Sequence, residues 1–420
     1  MFHDYHIPKS NLLDKVADVS NDGTYIPRIT EKHKQFGILM GILLSGRIRA
    51  LGITTVLLRN ALSIAIRYAT CVEPSGVLEN QSQQIRLIPW LAVTYISHIM
   101  HNYLDNIDSQ LNSSVDLMDE KLILELHALS SATKPVITWL ARDGIQTCKE
   151  MCKTYGHLKG SCLADLYNLN DPMYTLEGDN NVLIQQTANW LLKLYEGVLK
   201  GDSINFPLSS VNFIKDAGQI LNQKFNVSCH TNFSHPQNIV TYYEWLTCYI
   251  LKETFEKQQF LSQSKLNGFW IKNDSQVYFC RTLGTAYIMV FFVKRFKELV
   301  LNAPDHATKT VLLKLLSLYG LWNLQKYIHY FYQGGYATTT NFAQLTEEAI
   351  LMLCSDLKDD AVSLVDAISP PDFLVNSVFG YSDGNVYKRL ECTITHTPGT
   401  FSNVNWRNNL SKWKYQLSKL

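Results

Sequence analysis

The sequence predicts a mainly α protein, two helical bundles behind a short β segment, and three observations predict it. Apolar residues recur at helical spacing in segment after segment beyond residue 30, the clearest stripe running through Ile184, Ala188, Leu191, Tyr195, Val198 and Leu199. Strand and turn signals are concentrated at the amino end. A chain of 420 residues with 46% hydrophobic content can bury two cores, and Gly, Asp, Ser and Pro cluster at 201–209 as a link between them. The expected units are therefore a β segment at 1–29, a first bundle at 30–200 and a second bundle at 201–420.

Composition excludes several classes. A net charge of +1 and a pI near 7.6 give no footprint for nucleic acid or an anionic membrane. Nine cysteines without regular spacing read as free thiols of a reducing compartment. The start, M-F-H-D-Y-H-I-P-K, lacks the apolar core of a signal peptide. The end is an address. Ser418, Lys419 and Leu420 form the S-K-L tripeptide read by the peroxisomal import receptor, so a peroxisomal location is expected.

Taken in order, Tyr5, Ile7 and Pro8, then N-D-G at Asn21–Gly23 before Thr24-Tyr25-Ile26, read as strand and hairpin fragments too few to bury a face. Phe36–Thr70 is the most apolar segment. Arg47, Arg49, Arg59 and Arg67 interrupt it, which argues against a membrane span and for one or two buried helices, with Gly37, Gly41 and Ser45 spaced for a close crossing. Ile85–Ile107 is a further helical pattern. Its His98, His101 and Asp105 share a face but lack a fourth ligand, and no metal is expected. Leu122–Gly144 is another helix, kinked or restarted at Pro135. Cys148 and Cys152 read as packed thiols. Beyond the link lie helical patterns at Ile239–Gln258, Gln276–Asn302, Thr308–Gln333 and Leu345–Ala367, the third carrying Tyr319, Trp322, Tyr327, Tyr330, Phe331 and Tyr332 as a core or subunit-contact stripe.

The stretch with chemical content is Asp171–Gln186, D-P-M-Y-T-L-E-G-D-N-N-V-L-I-Q-Q. Pro172 and Gly178-Asp179 punctuate a loop, and Asp179 or Asn180 is a suitable N-cap for the helix that follows. Glu177 stands on that turn between Leu176 and Gly178, near Tyr174. Apolar neighbours favour its neutral form and a helix N-terminus favours the anion, the opposing pulls that hold a general base near working pH. The bland reading of Glu177, a solvated acid at a turn, competes with catalysis.

The run Y-T-L-E-G-D-N-N-V-L-I-Q-Q resembles the Y-E-G-D-N-x-V-x-x-Q signature of peroxisomal acyl-CoA oxidases, the branched-chain (pristanoyl) type most. S-G-R at Ser45–Arg47, E-L-H-A-L-S-S-A-T-K-P at Glu125–Pro135, D-A-V-S-L-V-D-A-I-S-P-P-D-F at Asp360–Phe373 and G-Y-S-D-G-N-V-Y at Gly380–Tyr387 are similar to runs of the same family, in the same order. The resemblance implies the carboxyl-terminal part of the family's architecture, with 1–29 as a remnant of its middle β-domain and the amino-terminal helical domain absent.

By that resemblance the activity is FAD-dependent α,β-desaturation of an acyl-CoA, with oxygen reduced to hydrogen peroxide and Glu177 removing the α-proton. Gly156 and Gly178 are the implied cofactor-facing glycines. The expected partners are an acyl-CoA substrate and a second copy or a full-length acyl-CoA oxidase. The sequence also departs from the family's pattern. A-T-C-V-E-P at Ala69–Pro74 lacks the arginine expected to contact the partner's FAD, and Lys153 and Thr154 stand where glycines are expected before Gly156. Those departures imply weak flavin retention by this chain alone. They also set out the alternative, a non-catalytic helical partner that binds a full-length oxidase through the inherited dimer surface.

Overall fold

Helix α1, Lys32–Cys71, is the spine of the molecule: one helix of 40 residues where the apolar pattern allowed one or two. In the computed structural model the described residues are 2–14, 16–30, 32–72, 76–113, 119–226, 230–264, 267–339, 341–402, 406, 410 and 412–414. The address at Ser418–Leu420, together with Glu73 and Pro74, lies outside them. Leu44, Ile48, Leu51, Leu58, Leu62 and Ile66 form the buried face of α1. Against it pack α2 (Gln81–Ser113) and α3 (Glu120–Met151).

The α3 helix does not restart at Pro135. Every residue from Leu126 to Ala141 except His127 and Trp139 is buried, and packing on this scale overrides the local penalty of one proline. It also runs on past Gly144 to Met151. A side chain at Gly144 would collide with Leu58 of α1 and Trp90 of α2, so this glycine is where three helices meet. Of Gly37, Gly41 and Ser45, expected at a close crossing, Ser45 meets a neighbouring helix, its hydroxyl donating to Asp108 of α2 at 2.7 Å, and the surroundings of Gly37 lie outside what is described. Nothing lies within 4 Å of a Cβ on Gly41, whereas Gly46 and Gly52 carry the close approaches.

After α3 come 3₁₀ turns at Lys153–His157 and Lys159–Ser161, then α4 (Leu163–Asn170), a further 3₁₀ turn at Asp171–Tyr174, and α5 (Asn180–Leu199). The second half comprises α6 (Ala217–Leu221), α7 (His230–Phe233), α8 (Pro236–Gln263), α9 (Gly268–Asn273), a π-helical turn at Gln276–Cys280, α10 (Arg281–Leu301), α11 (His306–Leu324), α12 (Ile328–Gln333), α13 (Asn341–Leu357), α14 (Ala361–Ile368), α15 (Asp372–Val375) and α16 (Val386–His396). The single pattern read at Leu345–Ala367 is thus two helices, broken at Lys358–Asp360.

At the amino end β1 (Ala17–Val19) and β2 (Tyr25–Pro27) pair antiparallel with Asp18 opposite Ile26, and Gly23 takes φ 88° in the N-D-G turn. Tyr5, Ile7 and Pro8 join no strand, and every residue of β2 is exposed.

A continuous hydrophobic core runs from Leu44 to Val386. Helices α11 and α13 pack on α2, α10 on α5, and α14 on α1, so the core continues across the loop at 201–209. The aromatic stripe, expected as core or subunit contact, is core at two positions, while Trp322, Tyr327, Tyr330 and Tyr332 are half-buried against it. Tyr319 and Phe331 are fully buried, and Phe331 stacks on Trp245 at 5.2 Å. By length and composition two helical stretches, Gly41–Cys71 and Gln276–Leu301, are long and apolar enough to cross a membrane. Half or more of each apolar window is buried inside this core.

The carboxyl-terminal motif docks on α1 through Arg67. Its Nε and Nη2 donate to Asp366 at 2.9 and 2.8 Å, and its Nη1 donates to Asp372 at 3.0 Å and to the Gly380 carbonyl at 2.6 Å. Buried at 6% exposure, this guanidinium has acceptors for its charge on both sides.

Candidate active site

Glu177 is built into place by the turns before it and the cap after it. Thr175 donates its amide to the Pro172 carbonyl at 3.1 Å, closing the 3₁₀ turn, Leu176 donates to the same carbonyl at 2.9 Å, and Gly178 donates to the Thr175 carbonyl at 3.1 Å. Asp179 is the N-cap of α5, its side chain accepting from Asn181 and Val182 at 2.8 and 3.2 Å. Between turn and cap the chain must reverse, and it does so through two positive-φ residues, Glu177 at 59° and Gly178 at 117°. Glycine enters this region freely. A glutamate there carries about 1 kcal/mol of strain, which is retained where the surroundings over-determine it.

The strain puts the carboxylate on the surface, over α1. A Cβ built on Gly46 would overlap the Glu177 carboxylate, so the bare backbone of α1 is its seat. Glu177 is exposed, and Leu176 beside it is 45% exposed. The expectation of an acid sheltered by Tyr174 and Leu176 is therefore corrected: its closest surroundings are Gly46 and the cation on Arg47. Nor does it occupy the helix N-terminus, where the first amides of α5 are taken by Asp179.

Behind the carboxylate lie two buried cations. Arg47, at 4% exposure, donates Nη1 to Ser131 Oγ at 3.0 Å and to His127 Nδ1 at 3.1 Å. Arginine only donates, so His127 Nδ1 accepts and the imidazole is neutral with its proton on Nε2. Burial first, and then the Arg47 charge, push the His127 pKa down to about 4. Burial lowers the Arg47 pKa, and Glu177 opposes that shift. Lys134, at 1% exposure, donates Nζ to the Gly178 carbonyl at 2.6 Å and to Asn180 Oδ1 at 2.9 Å, while Asn180 Nδ2 donates to Thr138 Oγ1 at 2.9 Å. Burial pulls the Lys134 pKa down to about 8, against the raising influence of Asp179 and Glu177.

The other residues singled out in the sequence fall elsewhere. Gly156 is buried, and a Cβ on it would overlap the Lys149 carbonyl at the end of α3. At Gly178 a Cβ would stand 3.0 Å from Leu183. Both glycines therefore make room for the protein's own atoms. Lys153 takes φ 53°, and it and Thr154 are exposed. Cys148 and Cys152 are buried thiols whose pKa values burial pushes up. His98 accepts or donates at 3.1 Å to Asn102 within its own helix, and among the described residues no group of three or more His, Cys, Asp or Glu is arranged to hold a metal. A hollow of about 280 Å³ is lined by Lys9, Ser10, Leu12, Asp14 and Asp18, none of them part of this site. Gly46, Arg47, His127 and Lys134 carry the site without having been singled out. Their signal was present in the S-G-R and E-L-H-A-L-S-S-A-T-K-P runs, which held no stated role.

A helical scaffold presenting a strained, exposed glutamate on the turn into a helix has the fold of the acyl-CoA oxidase helical domains. It superposes on acyl-CoA oxidase 1 of Arabidopsis thaliana with a TM-score of 0.86 at 24% identity, covering 96% of this chain and 61% of that one. Acyl-CoA oxidase-2 of Caenorhabditis elegans, solved with FAD, ascaroside-CoA and ATP, gives 0.83 at 23% identity over 100% of this chain and 62% of that one.

In sequence, residues 40–192 match the acyl-CoA oxidase C-alpha1 domain and residues 235–413 match the acyl-CoA oxidase family. Human peroxisomal acyl-coenzyme A oxidase 3 is 37% identical over 97% of this chain and 60% of its own length. The acyl-coenzyme A oxidase acox-3 of Caenorhabditis elegans is 30% identical over 93% of this chain and 59% of its own. The chain belongs to the acyl-CoA oxidase family, and it spans about 60% of the length of the curated relatives it matches.

Proposed function

We propose that this chain serves the peroxisomal oxidation of an acyl-CoA, with Glu177 as the base that removes the proton α to the thioester. The observation that carries the reading is the placement of Glu177: a strained backbone turns its carboxylate outward over Gly46, in front of Arg47 and Lys134. A base must reach the substrate's α-carbon, and an exposed acid on a rigid turn is positioned for that. FAD, when bound, supplies the acceptor for the β-hydride. What this chain's residues contribute is the orientation of the base and a fixed positive field behind it, which steadies the carboxylate before it takes the proton. Gly156 and Gly178 as flavin contacts belong to this proposal, although what their missing side chains admit is protein.

Likeness to oxidases along nearly the whole chain supports the enzyme reading over an inert helical partner. The same reading includes pairing with a second copy or a full-length acyl-CoA oxidase, for which α1 offers Ile42, Ile53 and Val56, apolar and 57, 48 and 41% exposed. It also includes import through Ser418–Leu420. The test is Glu177→Gln in the assembly that produces peroxide from an acyl-CoA. The amide keeps the shape and cannot take the proton, so peroxide production should fall by roughly 10²–10⁴-fold with folding unchanged. Production at the original rate would remove Glu177 from the mechanism.

A further inference from the structure

We infer that Lys134 is the positioning residue of this site: from inside α3 its ammonium holds the Gly178 carbonyl and the Asn180 amide, and so fixes the left-handed backbone that sets the Glu177 carboxylate over Gly46. The inference rests on the proposed role of Glu177 as base. Lys134 touches neither Glu177 nor any group the reaction transforms; it acts through the backbone.

Three observations carry it. Only the ψ of Glu177 and the φ and ψ of Gly178 separate the Glu177 φ from the Gly178 carbonyl, so anchoring that carbonyl together with Asn180 narrows the concerted rotations by which the glutamate could leave the left-handed region. Lys134 is buried, yet no carboxylate lies within ion-pairing distance of Nζ among the described residues; it is committed to a carbonyl and an amide. A lysine in that condition is costly to a fold and is kept where its charge has a use. The anchor is in turn anchored, since Asn180 is held by Thr138 one turn further along α3.

The charged groups facing Lys134 are Glu177 and Asp179 on the turn and Arg47 on α1, with the neutral His127 behind Arg47. The two acids favour the ammonium and Arg47 opposes it. With its pKa drawn to about 8, Lys134 loses its charge at mildly alkaline pH. The neutral amine still donates hydrogen bonds, but weaker ones, and the positive field beside Glu177 falls. With the Gly178 carbonyl and Asn180 held by this ammonium, turnover is expected to fall as pH rises past about 8.

Two substitutions separate the hydrogen bond from the charge. Lys134→Met keeps length and burial without a donor; Lys134→Gln keeps a donor without a charge. Backbone hydrogen exchange on the full chain should show the Leu176 and Gly178 amides opening about 10- to 100-fold faster in Lys134→Met, with the interiors of α3 and α5 unchanged. Lys134→Gln should restore most of that protection. In peroxide assays of the assembled enzyme, turnover should fall at least tenfold in Lys134→Met, and the limb near pH 8 should vanish in both variants.

Unchanged exchange at Leu176 and Gly178 in Lys134→Met overturns the positioning role, and Lys134→Gln decides the matter if the methionine variant fails to fold. A limb that persists in both variants overturns the assignment of the limb to Lys134. A wild-type assembly that makes no peroxide would sink the proposed function instead, and the exchange measurement would still judge Lys134.

Discussion

Two strained turns in this molecule are clamped by opposite charges. At Phe206–Ser210 the left-handed residue is Ser209, φ 55°, and the clamp is Glu125, fully buried in α3. Its carboxylate accepts from the Leu208 and Ser210 amides at 2.7 and 2.8 Å and from the Ser210 hydroxyl at 2.6 Å; Tyr287 closes the arrangement by donating to that hydroxyl at 2.8 Å. At Thr175–Asn180 the left-handed residue is Glu177 and the clamp is Lys134, nine residues further along the same helix. In the first turn the charge faces inward and every partner is in place, so the loop is inert. In the second the clamp is again inside but the strained residue carries its own charge outward. The same device, a charged side chain of α3 holding a backbone reversal, serves connection in one place and, in the proposed role of Glu177, chemistry in the other.

The comparison can be broken at either end. Glu125→Ala strands the buried Ser210 amide and hydroxyl and the half-buried Leu208 amide, and should cost about 3–5 kcal/mol of stability, read as a lowered urea midpoint. Gly46→Ala acts on the other turn without touching its clamp. The added methyl displaces the flexible Glu177 carboxylate, so peroxide production should drop about 100-fold while stability stays within about 1 kcal/mol of wild type. Glu177→Gly sharpens the contrast, for it removes the strain together with the proposed base. That variant should be more stable by about 0.5–1 kcal/mol, whereas a strain-free wild-type turn would give a loss.

The smallest effect is one of pH. His127 has a folded pKa of about 4 against an ordinary 6.5, so the unfolded chain binds the extra proton between those values. Its contribution to stability is complete above pH 6.5 and is lost as pH falls through 4. His127→Gln should flatten that acid slope in denaturation curves measured from pH 7 to 4.

What could be read from the sequence was local. The apolar stripe after Ile184, the Asp179 cap, the N-D-G turn and the aromatic core of α11 and α12 are each written in a few neighbouring residues, and each stands where it was expected. Glu177 was found through a motif, but its exposure was not foreseen. The apolar residues beside it in sequence do not surround it, and Gly46, about one-third of the chain away, does. Lys134 likewise meets Gly178 across 44 residues. Of the two readings at Pro135, the restart fails for the complementary reason: a local breaker is outweighed by burial along both flanks. Gly156 looked like a gap left for a ligand, and only the fold shows the Lys149 carbonyl filling it.

The Arg67 clasp has a consequence for how the chain is made. Asp366 and Asp372 follow Arg67 by 299 and 305 residues. At synthesis rates of roughly 5–20 residues per second, α1 waits about 15–60 s for the acids that neutralise its guanidinium and the helix that covers it. Throughout that interval the nascent chain carries the face of α1 that α14 will cover without its partner. Elements made about 300 residues after Arg67 thus complete the cover of α1, and the clasp can form only once they have been synthesised.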